Sequence, residues 1–310
     1  MKVLLVGGLG FIGRSFITKF SKIHKILVIS ENDSKQKIKD VPSNSFEFEP
    51  CRVEDKKIVD EIVYHKPEVV VHLAALTGIS RCENDPENAY RINVDGTQNV
   101  LEGCVKSKSK LIFLSSREVY GETIGKQSSE DDELKPNNLY GMTKLLGERS
   151  IISKSNEVGL DYTIFRITNV YGPSGDRYGA QVIINDIIKK RHVKILGRNQ
   201  KINYVFVDDI ADLINMALDD SRFSKQIFNL GSRDNFTIEE FVDKVSKVAG
   251  IQVTKEYLPM RKGETINFKP DLRKIENLLG GPLKTSFDEG VKKTIEWYRK
   301  HEPIQRLDLS

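Results

Sequence analysis

Short apolar runs alternate with amphipathic stretches along the first half of the chain. Val3-Leu4-Leu5-Val6 is continuous and stops at glycines, the pattern of a strand buried on both faces. Phe11 to Phe20 has helical spacing, Ile26-Leu27-Val28-Ile29 reads as a second strand, and Val69-Val70-Val71-His72-Leu73 as a third. Ile58 to His65 is predicted as a helix that ends before Pro67, because a residue preceding proline disfavours the helical region. A helix over Ala89 to Val105, a strand over Leu111 to Ser116, a helix over Tyr140 to Asn156 and a strand over Tyr162 to Ile167 continue the series. Such alternation predicts right-handed crossovers and an α/β fold built on a doubly wound parallel sheet.

After Pro173 the alternation loosens. A helix over Val182 to Lys190, a strand over Tyr204 to Val207, a helix over Asp209 to Leu218 and a short strand over Phe228 to Gly231 are predicted. Thr237 and Glu240 have capping-box spacing and open a helix to Val248. Asp288 to Lys300 reads as an amphipathic helix with Trp297 packed inward. The expected division is a sheet domain over 1–172 with returns at 201–232, and a smaller mixed α/β domain over 173–200 and 233–310. Gly125 to Pro136, rich in Ser, Asp and Glu, reads as a mobile surface loop.

Composition narrows the function classes. The 310 residues carry 48 Lys plus Arg against 44 Asp plus Glu, and no long basic run, so nucleic acid is not an expected partner. Cys51, Cys82 and Cys104 are an odd number without paired spacing, which suggests neither a disulfide framework nor a metal site. No apolar run reaches the ~20 residues of a membrane span. Because the first strand begins at the N-terminus, no cleaved signal is expected, and the cytoplasm is the expected location.

Chemistry enters at Gly7-Gly8-Leu9-Gly10-Phe11-Ile12-Gly13, which follows a strand and opens a helix. Glycines there permit a tight turn and let backbone N–H groups and the helix start approach a pyrophosphate. Gly7, Gly10, Phe11, Ile12 and Gly13 are therefore expected to cradle a dinucleotide. An acid at the end of the second strand would hold the adenosine ribose; by register that position is Ser30, with Glu31 next. Glu31 would oppose a 2′-phosphate and favours NAD, whereas Ser30 with Arg14, Lys35 and Lys37 nearby leaves NADP open. Tyr140 and Lys144 lie four apart on a predicted helix, hence on one face. A phenol normally titrates near ~10, and a neighbouring cation favours the phenolate, bringing it toward the range of a useful base.

Together these residues resemble the extended short-chain dehydrogenase/reductases, in their nucleotide-sugar epimerase/dehydratase group. The markers run over nearly the whole chain: Gly7 to Gly13, His72-Leu73-Ala74-Ala75, Asn93-Val94-Asp95-Gly96-Thr97, Ser115-Ser116-Arg117-Glu118-Val119-Tyr120-Gly121, Tyr140 to Lys144, and Asn169-Val170-Tyr171-Gly172-Pro173. The resemblance implies a Rossmann domain, a C-terminal domain for a nucleotide-diphosphate sugar, tightly held NAD and a homodimer through two long helices. It implies that Tyr140 is the base, that Lys144 binds the nicotinamide ribose and lowers the tyrosine pKa, and that Ser116 bridges substrate and tyrosine. Ala74, Ala75, Asn93 and the Val170 backbone would line the cofactor, Asn169 would meet substrate, and Arg261 would grip the diphosphate. Two positions depart from the pattern: Ile202 stands where an arginine is usual, and Cys51 where an aspartate usually meets adenine.

The reaction within the group is less constrained. A UDP-sugar 4-epimerase acting through a transient 4-keto sugar is the leading expectation. A decarboxylase or 4,6-dehydratase would use Glu118, though the dehydratases carry an Asp where Arg117 stands, and a guanidinium cannot donate in its place. Arg117 could instead pair with a C6 carboxylate, or simply with Glu118. An NADPH-dependent ketosugar reductase and a non-catalytic redox sensor are further readings, the last disfavoured by the intact Tyr140, Lys144 and Ser116.

Overall fold

The computed structural model describes residues 1–31, 41–42, 44–123, 127–175, 179–197, 200–260 and 263–301. In chain order the strands are β1 (Lys2–Val6), β2 (Lys25–Ser30), β3 (Glu47–Pro50), β4 (Val69–His72), β5 (Lys110–Ser116), β6 (Tyr162–Ile167), β7 (Asn169–Tyr171), β8 (His192–Leu196), β9 (Lys201–Phe206), β10 (Gln226–Leu230), β11 (Asn235–Thr237) and β12 (Thr254–Leu258). The helices are α1 (Phe11–Phe20), α2 (Lys57–His65), α3 (Ile79–Asn84), α4 (Pro86–Tyr90), α5 (Gly96–Ser107), α6 (Leu139–Val158), α7 (Ala180–Lys190), α8 (Val207–Ala217), α9 (Ile238–Ala249), α10 (Arg273–Leu279) and α11 (Phe287–Lys300).

Seven strands form a parallel sheet in the order β10-β6-β5-β4-β1-β2-β3. Its strands β1, β2 and β4 are apolar on both faces because both are covered. Val3, Leu5, Val28 and Val71 pack with Phe16 and Ile17 of α1 and Ile210 and Ile214 of α8. The alternate residues Leu4, Val6, Leu27, Val70 and Phe113 pack with Ile58 and Ile62 of α2, Val100 of α5 and Ile151 of α6. Strand order reverses between β1 and β4, so a crevice opens at their carboxyl ends, the switch point at which such sheets bind ligands.

The remaining strands form a three-stranded sheet, β11-β9-β7, and a parallel pair, β12-β8, over a separate core including Ile184, Ile195, Phe241, Val291 and Tyr298. Thus 226–230 adds to the large sheet, whereas 201–206 pairs with β7 and β11.

Three local expectations are corrected. The helix predicted over Ala89 to Val105 is α4, a wide π turn at Arg91–Asp95, then α5. Such a turn re-aims side chains within a helix, and here buried Asn93 is aimed at the segment after β4. Val207 begins α8 instead of ending a strand. Trp297 packs, half-buried, against the core of Phe241 and Val291 as expected and stacks on His301, while Val291, Thr294 and Tyr298 are the fully buried residues of α11. The supposed loop is pinned where described: the Ser128 N–H donates to Lys269, its carbonyl accepts from Asp271, and Glu130 accepts from the Asn229 N–H. Residues 125 and 126 lie outside the described residues.

Candidate active site

The glycine turn leaves β1 at the switch point. Gly7 has φ +78°, and a Cβ there would fall 2.6 Å from the Ala74 nitrogen, so the first turn of the loop touches the segment leaving β4. Ala74 answers with its own N–H, which donates to the Val6 carbonyl at 2.9 Å. At Gly13 a Cβ would fall 2.2 Å from the Gly8 carbonyl oxygen, so the start of α1 and the loop are in direct backbone contact. Gly10 is the N-terminal cap residue of α1, with Phe11, Ile12 and Gly13 in its first turn and no capping side chain. A helix start in that form presents N–H groups to an anion, and the cradle fits a dinucleotide pyrophosphate. Gly13→Ala is expected to cost about 1–3 kcal/mol through overpacking, with weaker NAD binding in a calorimetric titration of the folded variant.

Glu31 follows β2 and is largely exposed, with its carboxylate 3.5 Å from the Arg52 guanidinium. Cys51 is buried next to Ser30, whose carbonyl accepts its N–H, and burial pushes its thiol up to about 11. Ala74 and Ala75 follow β4, the strand beside β1. Asn93 ties that segment down: its Oδ1 accepts from the Leu76 N–H at 2.7 Å, and its amide donates to Leu76 O and to Thr143 of α6. Lys35, Lys37 and Arg261 lie outside the described residues.

At the end of β5, Ser116 Oγ accepts the Glu118 N–H at 3.2 Å and caps a short 3-10 turn. Its hydroxyl lies near enough to the Tyr140 phenol to favour the ionised form. Tyr140 enters from α6, whose start is fixed by Asn138: the Asn138 Oδ1 accepts the Gly141 N–H at 2.8 Å. Glu83 of α3 accepts the Leu139 N–H at 2.8 Å. A Cβ on Gly141 would lie 2.4 Å from the Glu118 carbonyl oxygen, so α6 and the 117–119 turn abut through backbone.

Glu118 is buried and fully engaged. One carboxylate oxygen meets Arg117 at 2.8 Å; the other accepts from Asn138 Nδ2 at 3.0 Å and Thr265 Oγ1 at 3.2 Å. Asn138 Nδ2 also reaches the Gly263 carbonyl. Arg117 turns inward, with its guanidinium over the Phe268 ring at 5.6 Å. Asn169 and Val170 lie on β7: the Asn169 amide donates to the Asn203 carbonyl, and the Val170 carbonyl accepts from Gln181.

Electrostatics depart from one expectation. Burial holds the Tyr140 phenol above its ordinary range, Cys82 and Glu118 add to this, and the neighbouring Ser116 hydroxyl acts in the opposite sense. Lys144 does not pull it down, because the phenolate is desolvated and the ammonium is directed elsewhere, 4.6 Å over the Phe113 ring. Burial lowers Lys144 itself to about 8, opposed by Glu148 and Cys82. His72 closes the floor: its Nε2 meets Thr97 Oγ1 at 3.0 Å, and burial, with Lys144, pushes it down to about 3, so it is neutral.

Asn138, Glu83, Thr265, Glu148 and Arg166 were not anticipated from sequence. A cap-forming Asn ahead of the Tyr140 helix and an arginine inside the apolar strand 162–167 were the available signals. Among the described residues, no cluster of three or more His, Cys, Asp or Glu could hold a metal, and no helix is long and apolar enough to cross a membrane.

A seven-stranded parallel sheet with a glycine-rich turn at its switch point defines a Rossmann-type α/β protein. The chain belongs to the NAD dependent epimerase/dehydratase family, whose sequence model matches residues 3–231. It is 29% identical to a UDP-N-acetyl-alpha-D-glucosaminuronate decarboxylase of Bacillus cytotoxicus, over 97% of this chain and 98% of that protein. It is 27% identical to a UDP-glucose 4-epimerase of Mycolicibacterium smegmatis, over 96% and 99%. The crystal structure of UDP-glucose 4-epimerase with UDP-glucose from Thermotoga maritima superposes with a TM-score of 0.87 at 28% identity, covering 97% of this chain and 99% of that one.

Proposed function

We propose that this protein is an NAD-dependent UDP-sugar 4-epimerase. The observation that carries the choice is the state of Glu118, the side chain that elimination or decarboxylation would need. Its two oxygens are taken by Arg117, Asn138 and Thr265. A carboxylate so committed is an anchor between the Tyr140 helix and the 263–265 segment, not a group free to move protons.

Tyr140 is the base: it takes the proton of the sugar C4 hydroxyl, relayed by the neighbouring Ser116 hydroxyl. Ser116 is oriented for this by the Glu118 N–H, which donates to its oxygen. Bound NAD supplies the acceptor and donor of hydride at C4. Gly7, Gly10 and Gly13 with the first turn of α1 would hold its pyrophosphate, Glu31 its adenosine ribose, and Lys144, Ala74, Ala75, Asn93 and the Val170 backbone its nicotinamide end. The 4-keto sugar turns over to present the opposite face of C4 for reduction, and Tyr140 returns the proton to the C4 oxygen. Asn169 and Arg261 are assigned to the nucleotide sugar. Arg117, already paired and covered by Phe268, is assigned to holding Glu118 in place.

Incubation with UDP-, dTDP-, GDP- and CDP-sugars is expected to give products of unchanged mass, with UDP-sugars preferred. Glu118→Gln is expected to lose less than about tenfold in kcat, against the 10²–10⁴ typical of removing an acid–base group. A loss in that upper range, or a product lighter by water or carbon dioxide, would replace this reading.

A further inference from the structure

We propose that Glu148 is a positioning residue that keeps the Lys144 ammonium charged, itself locked by a buried pair with Arg166. The inference rests on the role given to Lys144 above. Lys144 and Glu148 lie one helical turn apart on the inner face of α6, with residue exposures of 4% and 1%. The Glu148 carboxylate cannot rotate away. Arg166 Nε reaches its two oxygens at 3.1 and 3.2 Å, Arg166 Nη2 reaches one at 2.8 Å, and the Ser115 hydroxyl donates to the other. Arg166 is held in turn, its Nη1 donating to Tyr120 Oη and to the Glu130 carbonyl, both at 2.9 Å.

Among the described residues, the groups facing Lys144 leave Glu148, shared with the Arg166 guanidinium of β6, as its counter-charge. From β4 comes His72, neutral and with Nε2 engaged by Thr97. From α3 comes Cys82, a buried thiol pushed up to about 11. From β5 comes the Phe113 ring, which stabilises a cation weakly. Burial drives Lys144 toward the free amine, and the largest opposing influence is Glu148. A neutral amine would meet the ribose hydroxyls without the charge-assisted hydrogen bonds that an ammonium makes.

The experiment follows the Lys144 titration directly, by 13C NMR of lysine Cε in NAD-free protein, with the resonance assigned from Lys144→Arg. Glu148→Gln is expected to lower the midpoint by about one pH unit or more, and Glu148→Asp to restore most of it. In turnover of UDP-glucose, the alkaline limb of kcat should move to lower pH by the same interval. Because Glu148→Gln strands a buried arginine, Glu148→Gln with Arg166→Met removes the pair together, and the same downward shift is expected there. An unchanged Lys144 midpoint in either folded variant overturns the proposal. A shifted midpoint in a protein whose wild type turns over no nucleotide sugar would instead retire the catalytic reading while leaving Glu148 its hold on Lys144.

Discussion

Tyr140→Phe is expected to lower kcat by about 10²–10⁴-fold, the span of general acid–base catalysis, with NAD binding and thermal midpoint nearly unchanged. The substitution removes one oxygen. Ser116 keeps its Glu118 N–H, and α6 keeps its Asn138 cap and the Glu83 contact at Leu139. Nothing that builds the helix or the glycine cradle depends on the phenol. UDP-glucose turnover beside a calorimetric NAD titration separates the two effects. Turnover within a few-fold of wild type would remove Tyr140 as the base.

Arg166→Met is expected to destabilise the fold by about 3–5 kcal/mol, the cost of breaking a buried ion pair from one side. Glu148 would keep only the Ser115 hydroxyl among the partners described for it, at 1% exposure. Tyr120 and the Glu130 carbonyl would lose a donor as well. Against the ~5–15 kcal/mol of a typical domain, the variant should fold yet unfold at markedly lower denaturant. A loss under about 1 kcal/mol, the range of surface ion pairs, would show that the pair contributes little.

The large sheet was legible because a strand covered on both faces must be continuously apolar, as in Val3–Val6 and Val69–Val71. Short strands such as β8 and β12 are only half covered and mix Lys and Glu with apolar residues, so periodicity does not separate them from loop. The π turn at Arg91–Asp95 costs nothing in apolar pattern and is invisible for that reason. At the site, the glycine turn, Ser116, Tyr140 and Lys144 are visible through local spacing. Their supports are not, because long-range pairing creates them: Ser115 and Arg166 are partners in the β5–β6 register, which brings both to Glu148. Thr265 reaches Glu118 across 147 residues of chain. The expected pull of Lys144 on the phenol failed for a related reason. Helical spacing gives a shared face, but burial sets which charge each group carries.

On this account C4 of the sugar is oxidised with Tyr140 as proton acceptor and bound NAD as hydride acceptor, and is reduced again in the same site from its other face. UDP-glucose carrying deuterium at C4 tests this most directly. The expected product is the C4 epimer of unchanged mass, with the label still on C4. Loss of the label to water, or a product lacking the elements of water or carbon dioxide, would contradict it.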